Sequence, residues 1–270
     1  MIKLEKEQTA RFAARLEQET QESVMRDIAQ FSEADIVDTW ASEPPACAEV
    51  HAMVFNMERG VHIDEAIEFL KDNPSLQPFD LILANELDFG TARSGEKNTA
   101  EEVAKALGLS YVFGLEFIEL KDAALGFHGN AVFSRWPIKW AEVLRLPEQY
   151  NWYNDRQKRI GGRCALLAKL DVHGREVGVD TAVLCGKAAR NDPVQTHREE
   201  ISLADRLAAR QAAVAGCRPP CVACVAAGRQ ERLRRIDFYN IVGKLCRMIR
   251  QMTDIVFVSS VECVGIQVAA

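Results

Sequence analysis

Polar and apolar positions along the chain fall into blocks with two different periods. In residues 4–31, Leu4, Phe12, Leu16, Val24, Ile28 and Phe31 recur at intervals that a helix brings near one face, with Glu, Arg and Gln between them. This predicts a helical N-terminal extension over 1–45, closed by the break at Ser42-Glu43-Pro44-Pro45. The pattern then changes. Residues 50–55 and 79–84 are apolar runs of strand length, and polar residues stop both: Asn56 after the first, Asn85-Glu86 after the second. Between them, residues 63–71 set Ile63, Ala66, Ile67 and Leu70 on one side of a helix that Asn73-Pro74 closes. Thr99-Ala100-Glu101-Glu102 reads as a capping box opening a helix that stops at Gly108. Residues 111–120 and 129–133 read as strands, the second stopped by Trp136-Pro137. Residues 164–172 and 176–183 read as a hairpin about His173-Gly174.

Strand and helix alternating, followed by several strands, predict a mixed α/β sheet system over 46–270. Past residue 180 the pattern is weaker: a helix over 199–215, a Cys-, Val- and Ala-rich run over 217–228, and short strands over 236–241 and 255–258. Composition adds limits. A chain of 270 residues, 48% hydrophobic and 27% charged, can bury a real core and has the make-up of a soluble globular protein. A net charge of -6 argues against a surface built for non-specific nucleic-acid binding, while leaving room for a local basic groove. No apolar run approaches the roughly 20 residues needed to cross a bilayer, and the first residues are charged throughout, with no apolar signal core. These features predict a cytoplasmic protein, taken as a monomer, whose eight cysteines are reduced. The isolated ones, such as Cys164, are expected to be small buried hydrophobes.

The two strand ends carry the chemistry. Ligand sites in α/β sheets form beyond the carboxyl ends of strands, and Asn56 and Glu86 would stand there as a carboxamide and a carboxylate. Both are hard oxygen donors suited to Mg²⁺ or Mn²⁺. The run Phe55-Asn56-Met57-Glu58-Arg59-Gly60 resembles the first motif of the endonuclease/exonuclease/phosphatase (DNase I-like) superfamily, a strand followed by Asn-Ile/Met-x-x-Gly. Asn85-Glu86 resembles its metal-binding strand end, and Gly129-Asn130-Ala131-Val132-Phe133-Ser134-Arg135-Trp136-Pro137-Ile138 its Gly-Asn-Ala motif. The strand starting at Gly161-Gly162-Arg163 matches a fourth element. The resemblance covers about residues 50–180. It implies a β-sandwich flanked by helices, a four-layer α+β arrangement, with the site at one end. It also implies a divalent ion on Glu86 assisted by Asn56, with Asn130 and Arg163 near the phosphate; for Arg163 a structural salt bridge is an equal alternative. His128, just before the Gly-Asn-Ala motif, is read as a loop histidine.

The resemblance breaks in the second half. Where the superfamily has Thr-His, this chain reads Thr181-Ala182. Its Gly-Asp-x-Asn meets only Gly228-Arg229-Gln230-Glu231, and no histidine follows His197 to match a terminal Ser-Asp-His. Thr196-His197-Arg198-Glu199 reads as a further capping box. Arg235-Ile236-Asp237-Phe238 does match a late motif, which implies a catalytic role for Asp237. Three explanations compete: an inactive relative that still binds metal or phosphoester, recruitment of Asp180, Asp237 or Asp254, or a frame-shifted C-terminal half. The reading is a Mg²⁺- or Mn²⁺-dependent phosphoester hydrolase whose substrate could include nucleic acid. Its residues are Asn56, Asn130, Arg163 and Asp237 for catalysis, and Glu86 with Asn56 for the metal. A different class, a cysteine-ligated metalloprotein, rests on the spacing of Cys217, Cys221 and Cys224.

Overall fold

Apolar residues on both sides of the marked strands dictate that both sheet faces are covered. The computed structural model describes residues 1–44, 49–76, 80–120, 126–146, 151–154, 158–182 and 261–267. Their elements are helices α1 (Lys6–Arg15) and α2 (Gln21–Arg26), then β1 (Ile36–Val37), β2 (Glu49–Asn56), α3 (Ile63–Asp72), β3 (Leu81–Phe89), α4 (Thr99–Leu107), β4 (Ser110–Glu119), β5 (Phe127–Ser134), β6 (Ile138–Arg145), β7 (Arg159–Gly161), β8 (Cys164–Val172), β9 (Arg175–Ala182) and β10 (Val261–Gln267). One sheet runs β1-β4-β5-β3-β2-β10, with β7 also paired to β4; a second sheet runs β6-β8-β9. Among the described residues, β2 and β3, joined through α3, pair in parallel and the other pairs are antiparallel.

Alternation along β3 shows how the layers form. Leu81 and Leu83 enter a core between the two sheets, with Val112, Val132, Leu166 and Val179. Ile82 and Ala84 point the other way, into a core with Leu70 of α3 and Ala100 and Val103 of α4. The described residues thus form three layers: helices, first sheet, second sheet. The β-sandwich is as the resemblance implies; of the four layers it implies, the described residues supply three, with helices on one face. The helix over 199–215, the strands over 236–241 and 255–258, the Cys217–Cys224 run, Thr196 to Glu199 and Asp237 lie outside the described residues.

The N-terminal segment departs from a single helix over 4–31. α1 and α2 are separate, and Thr20 caps α2 by accepting the Ser23 N–H. A threonine whose hydroxyl takes a backbone N–H starts a helix more readily than it continues one. Phe12, Val24, Ile28 and Phe31 sit in the same core as Ile118 and Ile160 of the first sheet. β1 pairs with β4, and Gln21 Oε1 accepts the Gly161 N–H at 2.8 Å.

The capping box at Thr99 is also corrected. Asn98 is the cap, accepting the Glu101 N–H, and α4 ends at left-handed Gly108. Thr99 turns toward β3 instead: its hydroxyl donates to the Asp88 carbonyl at 2.7 Å and accepts the Asp88 N–H at 3.0 Å. Buried backbone groups at the end of β3 need partners, and that need outweighs the local capping preference. The β8–β9 hairpin is as expected, with left-handed His173 (φ 53) and Gly174 (φ 80) forming the two-residue turn that matches strand twist. Cys164 is fully buried, and burial pushes its thiol pKa up to about 12, so it behaves as the small hydrophobe expected. None of the described helices is long and apolar enough to cross a membrane.

Candidate metal centre

The parallel pairing of β2 and β3 puts Asn56 directly beside Asn85, with Glu86 one residue further on. The Met57 N–H donates to the Asn85 carbonyl at 2.8 Å, tying the two strand ends together. Asn56 Oδ1 accepts the Glu58 N–H at 2.9 Å, which fixes the amide and leaves its oxygen a second lone pair. Asn56 and Glu86 are both half-buried.

β3 does not end at Asn85-Glu86 as the sequence suggests. Its register with β5 steps from Ala84↔Ala131 to Leu87↔Gly129, and the strand continues to Phe89. Glu86 is left as the bulged residue, in the left-handed region at φ 57. After Asn56 the chain is left-handed at three consecutive residues, Glu58 (φ 46), Arg59 (φ 66) and Gly60 (φ 67). Gly60 is dictated twice: by its φ, and because a Cβ there would collide with the Thr99 side chain. Glu58 and Arg59 have no such freedom. Among the described residues, three of the five non-glycine residues with positive φ are Glu58, Arg59 and Glu86. Backbone strain of this kind gathers where a site demands a particular geometry. Glu58→Gly should therefore raise stability by about 1 kcal/mol, read from the urea unfolding midpoint, since it removes the left-handed penalty and a buried Oε2 with no hydrogen-bond partner. An unchanged midpoint would argue against stored strain.

Asn130 and Arg163 are placed differently from Asn56 and Glu86. Asn130 is fully buried between the sheets, where its Oδ1 accepts from Asn85 Nδ2 at 3.1 Å. Asn85 Nδ2 also donates to Thr181 Oγ1 of β9 at 2.9 Å. Arg163 Nη1 donates to the fully buried Glu116 at 2.7 Å, and its guanidinium lies 5.4 Å from the Phe117 ring centroid and 5.5 Å from that of Trp152. The structure thus gathers Asn56, Glu86 and, through Asn85, Asn130, and commits Arg163 to an ion pair.

His128 is not in a loop. It lies on β5, buried, with Nδ1 2.8 Å from Asp88 Oδ1. Asp88 is fully buried and also accepts from Thr91 Oγ1 at 2.5 Å and from Arg93 Nε and Nη2 at 2.5 and 2.9 Å. Arg93 reaches Glu119 at 3.0 Å, and Arg159 lies 3.2 Å from the same carboxylate. Burial alone would raise the Asp88 pKa, but the hydrogen bonds from His128 and Arg93 outweigh it and hold the carboxyl below its usual range. Burial, and then the charges of Arg59, Arg93 and Arg163, lower Arg159 against the pull of Glu119. The sequence signal for this network was present: Asp88, Glu116, Glu119 and His128 interrupt apolar strand patterns, and buried charges are almost always paired.

Among the described residues, no group of three or more His, Cys, Asp or Glu side chains is placed to hold a metal ion. One carboxylate with a neighbouring carboxamide still suits Mg²⁺, which keeps several waters and needs only one or two protein carboxylates. The donor set therefore fits a hard divalent ion and does not fit a thiophilic one.

No family model matches the chain. No curated protein matches it. Among solved structures, an endonuclease/exonuclease/phosphatase from Beutenbergia cavernae DSM 12333 aligns at 20% identity and TM-score 0.39, over 50% of this chain and 38% of that one. A family protein of the same kind from Leptotrichia buccalis C-1013-b aligns at 13% identity and TM-score 0.38, over 50% of this chain and 54% of that one. The human Nocturnin catalytic domain with bound sulfate anion aligns at 15% identity and TM-score 0.38, over 63% of each chain. The alignment spans less than two thirds of each of these structures. The solved structures to which the chain is similar thus include endonuclease/exonuclease/phosphatase proteins, the kind that its motifs resemble.

Proposed function

We propose that the chain is a divalent-metal-dependent hydrolase of phosphoester bonds, with Glu86 and Asn56 as metal ligands and Mg²⁺ or Mn²⁺ as the ion. The observation that carries this reading is the strained pair of strand ends: a carboxylate on a left-handed bulge beside a carboxamide fixed by its own backbone. When bound, the ion would polarise a phosphoryl oxygen and favour charge developing during in-line attack by water. The protein's own groups set where that happens. Asn56 is held by the Glu58 N–H with one lone pair still available, and the bulge sets where the Glu86 carboxylate stands. A role for Asp237 in proton transfer is part of the same proposal, as is a phosphoester substrate class that includes nucleic acid.

The test is chelator-sensitive hydrolysis of bis-p-nitrophenyl phosphate and of plasmid DNA. Glu86→Ala should lower the rate at least 100-fold, in the range seen when a group stabilising transition-state charge is removed, with the unfolding midpoint within about 0.5 kcal/mol of wild type, as for a half-buried change. Absence of hydrolysis under every divalent ion tried would sink the catalytic reading. A second reading, a member that binds metal without turning over substrate, is favoured by the commitment of Asn130 to Asn85 and of Arg163 to Glu116. Its expected result is Mn²⁺ binding, lost in Glu86→Ala, with no hydrolysis.

A further inference from the structure

Behind Glu86, the buried side chains of Asn85, Asn130 and Thr181 join three strands from two sheets. Asn85 is on β3, Asn130 on β5 of the same sheet, and Thr181 on β9 of the other. None is more than 6% exposed. Asn85 uses both amide protons within this set, one on Asn130 Oδ1 at 3.1 Å and one on Thr181 Oγ1 at 2.9 Å. A carboxamide with both donors committed has a single orientation. Its main chain is held as well, because its carbonyl accepts the Met57 N–H from the strand end that carries Asn56. Asn85 is thus fixed at its side chain and its carbonyl, and the next residue is the left-handed bulge.

A buried polar set between two apolar sheets needs a reason. Asparagines at these positions give up the apolar burial that Leu83 and Val132 provide two residues away on the same strands. The Asn130 side chain is also engaged with the buried Cys164 thiol, a weak acceptor that returns little of the cost of taking an amide out of water. A core built for stability alone would favour aliphatic side chains at both sites. We infer that Asn85, Asn130 and Thr181 are positioning residues that lock the Glu86 bulge from behind, so that the second sheet, through Thr181, sets how well the site at the end of the first sheet holds its metal. This rests on the reading of Glu86 as a metal ligand. Hydrogen-bonded partners behind a ligand orient it, and their loss weakens metal binding.

The test is Mn²⁺ titration of the full chain followed by electron paramagnetic resonance, with thermal unfolding of the metal-free protein in parallel. Thr181→Val keeps the side-chain volume and removes the acceptor, whereas Thr181→Ser keeps the hydroxyl. The expected result is about 10-fold weaker Mn²⁺ binding in T181V and affinity restored to within about twofold of wild type in T181S, both read at a temperature where the metal-free variants are fully folded, because the orphaned Asn85 amide also lowers the T181V unfolding temperature. If T181V does not fold, Thr181→Ala takes its place in the comparison with T181S. Wild-type affinity in T181V, with binding abolished by Glu86→Gln, overturns the positioning role and leaves the metal ligand standing. Wild-type affinity in Glu86→Gln removes both.

Discussion

Asp88→Ala is expected to lower the free energy of unfolding by about 3–5 kcal/mol, the range for breaking a buried ion pair by removing one partner. The carboxylate it deletes is fully buried and receives Thr91, both donor arms of Arg93, and His128. Without it, His128 Nδ1 and Arg93 Nε stay inside with their hydrogen bonds unmade, and Arg93 keeps only Glu119. Domains of this kind are stable by only about 5–15 kcal/mol, so the loss is a large share, and urea titration would measure it directly. A loss under about 1 kcal/mol would show that the network is not cooperative. The same carboxyl should shape acid unfolding. Its folded pKa is depressed, so its contribution is complete above the unfolded aspartate value of about 3.9 and is lost as pH falls through the lower folded value. The acid limb of a stability–pH curve should therefore be shallower in Asp88→Asn than in wild type.

Gly129→Ala should be nearly as damaging, for a steric reason. Gly129 pairs with both β3 and β4, and a Cβ on it would strike the carbonyl oxygen of Gly114 and meet the Phe113 ring at 2.9 Å. The obstructing atom is backbone inside a sheet, so it can yield only if β4 and β5 part. Overpacking of this kind costs roughly 1–3 kcal/mol, and the loss of strand pairing places Gly129→Ala at about 3. Gly178→Ala on β9 is the matched control, because nothing lies within 4 Å of the added methyl group. It should be neutral or gain about 0.5 kcal/mol from reduced backbone entropy. Urea midpoints of the two variants, measured side by side, separate steric collision from a general intolerance of alanine. Equal midpoints would contradict the close approach at Gly129.

Elements with a strong period were legible in the sequence. α3 has four apolar residues on one side and an Asn-Pro stop, and spans Ile63–Asp72. The apolar run that marks β3 delivers Leu81 to Ala84 buried. His173-Gly174 sits at the hairpin turn it predicts. β6 was missed because most of its residues are only partly buried and its pattern mixes Lys, Trp, Ala and Glu without a clean alternation. Local capping rules failed at Thr99, where a tertiary partner 11 residues away outcompetes the helix end. The candidate site was proposed from chemistry, and its geometry was hidden. A polar residue after an apolar run exposed Asn56 and Glu86. Nothing in the letter Glu encodes a positive φ, so the bulge at Glu86 could not be read. For Arg163 the sequence left a phosphate contact and a structural salt bridge equally open, because Glu116 lies 47 residues earlier inside a strand. Pairings at that distance in sequence are set by sheet register, which no single motif carries.

The last strand of the first sheet has a consequence for the protein in solution. β10 runs antiparallel to β2 over its whole length, from Val261↔Phe55 to Gln267↔Glu49. It occupies the open side of the strand that ends in Asn56. A variant cut before residue 261 would leave that side with a row of unsatisfied backbone donors and acceptors on an apolar strand, a template onto which another chain can add. β10 thus covers the edge of the strand that carries Asn56, the carboxamide proposed as a metal ligand.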